Sequence, residues 1–245
     1  MLEYQAAKDL LKDKTILVTG AGDGIGKAAA IAFAKHGATV ILLGKTVKKL
    51  EAVYDQIEQA GYPTPAIVPL DLKGATEQNY KDMADTIEEQ FGQLDGLLHN
   101  ASVLGVLGPF EHMTMSTVEE VMQVNVIAEI MLTKALLPVM RKSPSASLLF
   151  TSSSVGRQGR AYWGEYAISK FATEGMMQSL ADEYAQTNVR VNSINPGATR
   201  TGMRANAYPA ENPQTLKAPD EIMATYLYLM GEDSKEVNGQ QLNAQ

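Results

Sequence analysis

The segment Glu165-Tyr166-Ala167-Ile168-Ser169-Lys170 sets a phenol and an ammonium four residues apart. On an α-helix, side chains at i and i+4 share a face, so the two groups could meet. A neighbouring ammonium stabilises phenolate and lowers a pKa that is ordinarily about 10, towards the range useful in proton transfer. Taken alone, such a pair is more often plain helix surface. Two further polar residues raise the same question: Ser153, within Thr151-Ser152-Ser153-Ser154, and Asn125, within a long apolar stretch. A serine-rich strand end is commonly a turn, and a helical asparagine is commonly satisfied by backbone. The elements that carry these residues decide between the readings.

Short β-rich runs alternate with helical patterns along the chain. Thr15–Val18, Thr39–Leu43, Ala66–Leu70, Leu94–Leu98, Ser147–Phe150 and Val189–Ile194 read as strands. They are nearly continuous in apolar residues, as parallel strands covered on both faces must be. Helical patterns run near 25–36, 47–60, 75–91, 117–141 and 164–186. His36-Gly37 and Ala60-Gly61 read as helix stops, and Ser143-Pro144 ends the fifth helix. This alternation predicts an α/β, doubly wound parallel sheet with right-handed crossovers and helices on both faces. No linker or repeat divides the chain, so residues 1–245 read as a single domain.

The first strand runs into Thr19-Gly20-Ala21-Gly22-Asp23-Gly24-Ile25-Gly26, and an alanine-rich helix follows. Glycines there permit a tight turn and close approach to a pyrophosphate, whose charge suits the helix N-terminus. The spacing is Thr-Gly-x-x-x-Gly-Ile-Gly rather than strict Gly-x-Gly-x-x-Gly. A strand before and a helix after make the loop a nucleotide-site candidate.

Thr19-Gly20-x-x-x-Gly24-Ile25-Gly26 resembles the nucleotide loop of the short-chain dehydrogenase/reductase family, in its compact single-domain branch. Other positions fall into line along nearly the whole chain. Asp71-Leu72 resembles the pair that meets the adenine, and His99-Asn100-Ala101-Ser102 takes the place of the usual Asn-Asn-Ala-Gly. Asn125 matches the asparagine of the long fifth helix. Ser153 lies thirteen residues before Tyr166, as the active-site serine does. Asn195-Pro196-Gly197 and Thr201 resemble the segment that holds the nicotinamide carboxamide. TSSSVGRQGRA and SKFATEGMMQ are most similar to a bacterial subgroup of the family that supplies no firm substrate.

The resemblance implies a Rossmann fold and hydride transfer between nicotinamide and a carbonyl or alcohol. Tyr166 would be the general acid in reduction and the base in oxidation. Lys170 would lower its pKa and hydrogen-bond the nicotinamide ribose, Ser153 would hold the substrate oxygen, and Asn125 would position a water linking Lys170 to solvent. The implied cofactor contacts are Gly20, Gly24, Ile25, Gly26, Asp71, Leu72, Asn100, Ala101, Tyr166, Lys170, Pro196, Gly197 and Thr201. Lys45 joins them: the second strand ends at Gly44-Lys45, without the carboxylate that commonly binds the ribose hydroxyls of NAD. NADP is therefore expected over NAD, with Asp23 in the glycine loop partly opposing it. The family also implies a homo-oligomer, tetramer or dimer, built from helices 117–141 and 164–186. Residues 202–218, rich in Pro, Asn and Ala, are the expected substrate lid. Ser102 adds a side chain where glycine is usual. A non-catalytic NAD(P)-binding sensor of the same fold is the competing function, and retention of Asn125, Ser153, Tyr166 and Lys170 argues against it.

Composition narrows the partners. The formal net charge is −7, which disfavours a broad nucleic-acid or anionic-membrane surface. There is no cysteine, and the three histidines match no metal-ligand spacing, so no metal is expected. No apolar signal core opens the chain and no apolar run reaches the roughly 20 residues that span a bilayer, so a cytoplasmic protein is expected. Lys48-Lys49 reads as a solvated helix face. Of six arginines, Arg157, Arg160, Arg200 and Arg204 fall in the loop before Tyr166 and at the start of the lid. That clustering predicts an anionic carbonyl substrate, with Tyr162 and Trp163 as its apolar wall.

Overall fold

A computed structural model describes residues 4–245. Seven parallel strands form one sheet in the order β3-β2-β1-β4-β5-β6-β7. They are β1 (Thr15–Thr19), β2 (Thr39–Gly44), β3 (Ala66–Pro69), β4 (Gly96–His99), β5 (Ala146–Thr151), β6 (Val189–Asn195) and β7 (Gln241–Asn243). β1 and β5 are buried at every position, which explains their unbroken apolar character. The chain reverses its direction of travel across the sheet between β1 and β4. Ligand crevices in such sheets open there, beyond the strands' carboxyl ends.

Helices α1 (Gly24–Lys35) and α2 (Val47–Gln59) cover one face, with α8 (Met223–Met230). Phe33, Leu42, Leu50, Tyr226 and Met230 meet in that core. Truncating the fully buried Phe33 to alanine would cost about 3–5 kcal/mol. The opposite face carries α3 (Glu77–Phe91), α5 (Ala128–Met140) and α6 (Gly164–Glu183), packed through Tyr80, Leu132, Leu136 and Met177. α3 starts with a capping box between Thr76 and Asn79, which satisfies two otherwise unpaired backbone donors.

The expected long helix is α4 (Met115–Met122) joined to α5 by one π-helical turn, Gln123–Ile127, with Asn125 at its centre. Met115–Met140 is long and apolar enough to cross a membrane by length and composition, which corrects the expectation that no such run exists. In the fold its apolar side is core: Leu132, Leu136 and Met140 are buried against the sheet. β4 begins two residues later than expected, at Gly96. A Cβ there would sit 2.4 Å from the Met230 sulfur, so α8 closes on the sheet only over glycine. α8 is not among the helices expected from the sequence. It follows a single turn of 3₁₀ helix, Pro219–Ile222, and spans only eight residues, too few to show a helical repeat clearly. Between β6 and α8 lies α7 (Gly202–Ala207), which has no buried residue.

Candidate active site

The glycine loop closes by contacts that leave no room for side chains. Gly20 has φ +66°, a region glycine enters without strain, and its α-carbon faces the Ala101 backbone. A Cβ on Gly26 would stand 2.2 Å from the Gly20 carbonyl oxygen and 2.6 Å from Asn100 Nδ2. Thr19, at the end of β1, ties this loop to β4. Its Oγ1 accepts from the backbone N–H of Asn100 (2.9 Å) and of Ala101 (3.0 Å) and donates to the Leu98 carbonyl. Asn100 Nδ2 donates back to the Thr19 carbonyl at 3.3 Å.

Around this loop three cavities adjoin. One, between the ends of β2 and β3, is lined by Gly20, Gly44, Lys45, Asp71, Leu72 and Ala101. It shares Gly20, Asp23, Ala101 and Ser102 with a second, which runs past Gly24, Ile25, Asn100 and Thr201 to Tyr166. The second shares Ile25, Ser152, Tyr166, Pro196, Thr201 and Met203 with a third, of about 330 Å³, under α7. A continuous trough with a backbone cradle at its middle fits a dinucleotide whose reactive end meets the third cavity at Tyr166. Gly197 also lines the third cavity, whereas Gly26, Asn125 and Lys170 stand behind the walls.

At the first cavity, Lys49 is no bare solvated face: its ammonium lies 2.5 Å from Asp23 Oδ2. Asp23 caps α1 by accepting from the Gly24 N–H, and hydrogen bonding by Lys49 holds its carboxyl below the usual range. Lys73 is likewise answered by Glu120 at 2.9 Å. Lys45 has no ion-pair partner among the described residues.

Tyr166 is buried on α6, with the hydroxyls of Ser102 and Ser153 beside its phenol. Burial is the largest influence on this phenol and pushes its pKa up to about 12; the two serines pull it down and the Glu129 charge raises it. The lowering expected from Lys170 is therefore corrected. The Lys170 ammonium is 6.0 Å from the phenol ring centroid and is spent on the Thr151 carbonyl at 2.8 Å. Lys170 is 1% exposed, and desolvation lowers its own pKa, opposed by Glu129 and Glu174. Ser102, the departure from glycine, adds a second hydroxyl at the phenol.

Asn125 is fully buried. Its Oδ1 accepts from the Val103 N–H at 2.8 Å, and its Nδ2 donates to the Val103 carbonyl (2.9 Å) and to Ser169 Oγ (3.0 Å). Both amide protons are thus used on protein, so the side chain anchors the loop after β4 to α6 instead of presenting itself to water. His99, in place of the usual asparagine, stacks on Phe150 at 4.9 Å and reaches Thr133 Oγ1 at 2.8 Å. Burial, then the Lys170 charge, push its pKa down to about 3 and keep the ring neutral.

The third cavity has an aromatic wall: the Trp163 ring lies 5.8 Å from Tyr166 and 6.0 Å from Tyr208. Tyr162 is exposed and does not line it. The four clustered arginines part company. Arg157 turns away to Glu174 (3.1 Å) and to Asn243 and Leu242 of β7. Arg200 reaches Gln214, and Arg204 makes a two-pronged pair with Glu211 while stacking on Tyr208 at 3.8 Å. Arg160 lines the cavity, and its guanidinium has no partner among the described residues. Gln245, which sequence reasoning overlooked, donates to the Pro196 and Ala198 carbonyls and latches the loop below the cavity.

The parallel sheet, the glycine loop tied to Asn100, and Tyr166 where trough and cavity meet, with Ser153 beside it on the cavity wall, define a dinucleotide-dependent oxidoreductase. The chain belongs to the short-chain dehydrogenase family, whose model matches residues 14–212. It is 54% identical over 244 residues to the uncharacterized oxidoreductase YciK of Escherichia coli K12, covering 100% of this chain and 96% of that one. A short-chain dehydrogenase structure from Pseudomonas syringae superposes with a TM-score of 0.99 at 59% identity, each chain covered in full (100%). Another, from Shigella flexneri 2a in complex with NADP, gives 0.95 at 54% identity, covering 97% of this chain and 99% of that one. The expected bacterial subgroup and the single-domain Rossmann fold are borne out.

Proposed function

We propose that this oxidoreductase interconverts a carbonyl and an alcohol with NADP(H), using Tyr166 as general acid and base. The observation that carries this reading is the place of Tyr166 on the wall common to the trough and the cavity, with Ser153 beside it on the cavity wall. NADP is supported by the unpaired Lys45 at the end of β2, by the neutralised Asp23, and by the NADP held by the similar Shigella protein. Gly20, Gly24, Ile25, Asn100, Ala101, Pro196, Gly197 and Thr201 would hold the cofactor, with Asp71 and Leu72 at its adenine. Bound there, nicotinamide supplies or accepts the hydride.

The chain's own residues handle the proton. At neutral pH a phenol held near 12 keeps its proton, so Tyr166 enters carbonyl reduction as an acid. Ser153 donates to the same substrate oxygen as negative charge develops on it. Lys170 stands 6.0 Å from the phenol ring and ties α6 to the end of β5 through the Thr151 carbonyl, and Asn125 fixes α6 against the loop that carries Val103. Residues 202–218 act as the lid: α7 buries nothing, and the segment rejoins the body through the Thr199–Lys217 bridge. The aromatic wall and the unpaired Arg160 favour a substrate with an apolar body and an anionic group, such as a keto acid or a phosphate-bearing acyl thioester. A homodimer or tetramer is favoured by Ile127 and Ile130 on the long helix and Ile168 and Phe171 on α6, all exposed.

The test is Tyr166→Phe, assayed with ketones, aldehydes and acyl thioesters by NADPH absorbance. Turnover is expected to fall by about 10²–10⁴-fold or more, with folding and NADPH binding kept. Wild-type-like turnover by the variant would overturn the mechanism.

A further inference from the structure

The catalytic lysine has a carboxylate behind it that the hydride-transfer scheme does not use. Glu129 lies on α5, one turn past Asn125, and is 3% exposed. Its Oε1 is 3.9 Å from Lys170 Nζ and has no hydrogen-bond partner among the described residues, while its Oε2 accepts from Thr173 Oγ1 at 2.9 Å. At that distance the two groups interact as charges and not as a hydrogen-bonded pair. An ammonium as enclosed as Lys170 is costly to keep ionised without a counter-charge.

The surroundings leave this duty to Glu129. Glu174, on α6, is already held by Arg157, Ser193 Oγ and Gln241 Nε2. His99, reaching in from β4, is neutral and supplies no charge. Thr133 is occupied with His99, and Thr173 divides its hydroxyl between Glu129 and the Ser169 carbonyl. The Tyr166 ring also stands near, its centroid 6.0 Å from the Lys170 ammonium.

We infer that Glu129 is a positioning residue for the reaction: its charge keeps Lys170 ionised and, acting on the phenol directly, keeps the proton on Tyr166. The inference rests on the proposed role of Tyr166, and its electrostatics have a definite sign. The Glu129 charge raises the pKa of Lys170 and of Tyr166 alike. Removing it lowers both, so a reduction that needs both protons loses activity at lower pH. Glu129 in turn is pushed up to about 7 by burial, with Lys170 and then Thr173 pulling it down.

Two measurements test this. The first needs no substrate: the side-chain carboxyl of Glu129, labelled with ¹³C, is titrated by NMR in wild type and in Lys170→Met. Loss of the cation is expected to raise the midpoint by about one unit or more, and equal midpoints would sink the inference. The second follows kcat/KM for carbonyl reduction against pH. In Glu129→Gln the basic limb is expected about one unit or more lower, and Glu129→Asp, which keeps the charge, recovers part of the shift. A glutamine variant whose limb overlays wild type also overturns the inference. Wild-type protein inactive on every carbonyl refutes the proposed function, and the NMR midpoints still decide on Glu129.

Discussion

Asp23 and Lys49 close an ion pair of 2.5 Å between the glycine loop and the first turn of α2. The pair joins an acid that would repel a 2′-phosphate to a lysine whose sequence context looked like bare surface. It also leaves Lys45 uncommitted at the same cavity.

The first prediction follows from that pair. Lys49→Ala unmasks the Asp23 carboxylate and is expected to weaken NADPH relative to NADH by about three- to fivefold, a modest effect because both groups are largely exposed. Lys45→Ala removes the free cation and is expected to cost NADPH about tenfold or more. Calorimetry with both cofactors checks this, and parallel losses for NADH and NADPH would reject the assignment.

The second prediction concerns stability against pH. His99 is buried neutral, with its pKa pushed from 6.5 to about 3, so its contribution is present above 6.5 and is lost as pH falls towards 3. Glu129 is pushed the other way, from 4.5 to about 7, so its contribution is present below 4.5 and is lost as pH rises through 7. Between those unfolded values the two slopes oppose and largely cancel. His99→Asn is expected to uncover a stability that falls as pH rises from 4.5 to 6.5, by up to about 1.4 kcal/mol per unit. Glu129→Gln should uncover the opposite slope. Urea titrations across this range would expose the error if both variants track wild type.

Third, the two arginines of the loop before Tyr166 should separate in their effects. Arg157→Ala leaves Glu174, whose side chain is 4% exposed, short of its cation and is expected to cost about 2 kcal/mol of stability. Arg160→Ala should leave stability unchanged and raise KM for an anionic ketone but not for a matched neutral one. Equal losses on both ketones would remove Arg160 from substrate recognition.

Fourth, Ile168 and Phe171 stand 46% and 48% exposed on α6. An Ile168→Asp, Phe171→Asp double variant is expected to be monomeric by light scattering while keeping its circular dichroism. A wild-type chain that is already monomeric at micromolar concentration would dismiss the interface.

The sheet and much of the site were legible in the amino-acid order because their signals are local. Strands such as β1 and β5 must be apolar throughout when both faces are covered, and Gly20 and Gly26 are demanded by one turn of backbone. Tyr166 and Ser153 were candidates by their spacing, and the fold sets both on the wall of one cavity. What tertiary structure alone decided was which charge meets which, and in how much water. Lys49 meets Asp23, Arg157 meets Glu174 and Lys170 meets Glu129 across separate elements, and no local pattern encodes those pairings. The phenol of Tyr166 shows the consequence. Its sequence neighbour at i+4 argues for a lowered pKa, yet in the fold desolvation is the largest influence and the pKa rises to about 12. The cost of burying a charge depends on the protein packed around it, which forms only when distant segments come together.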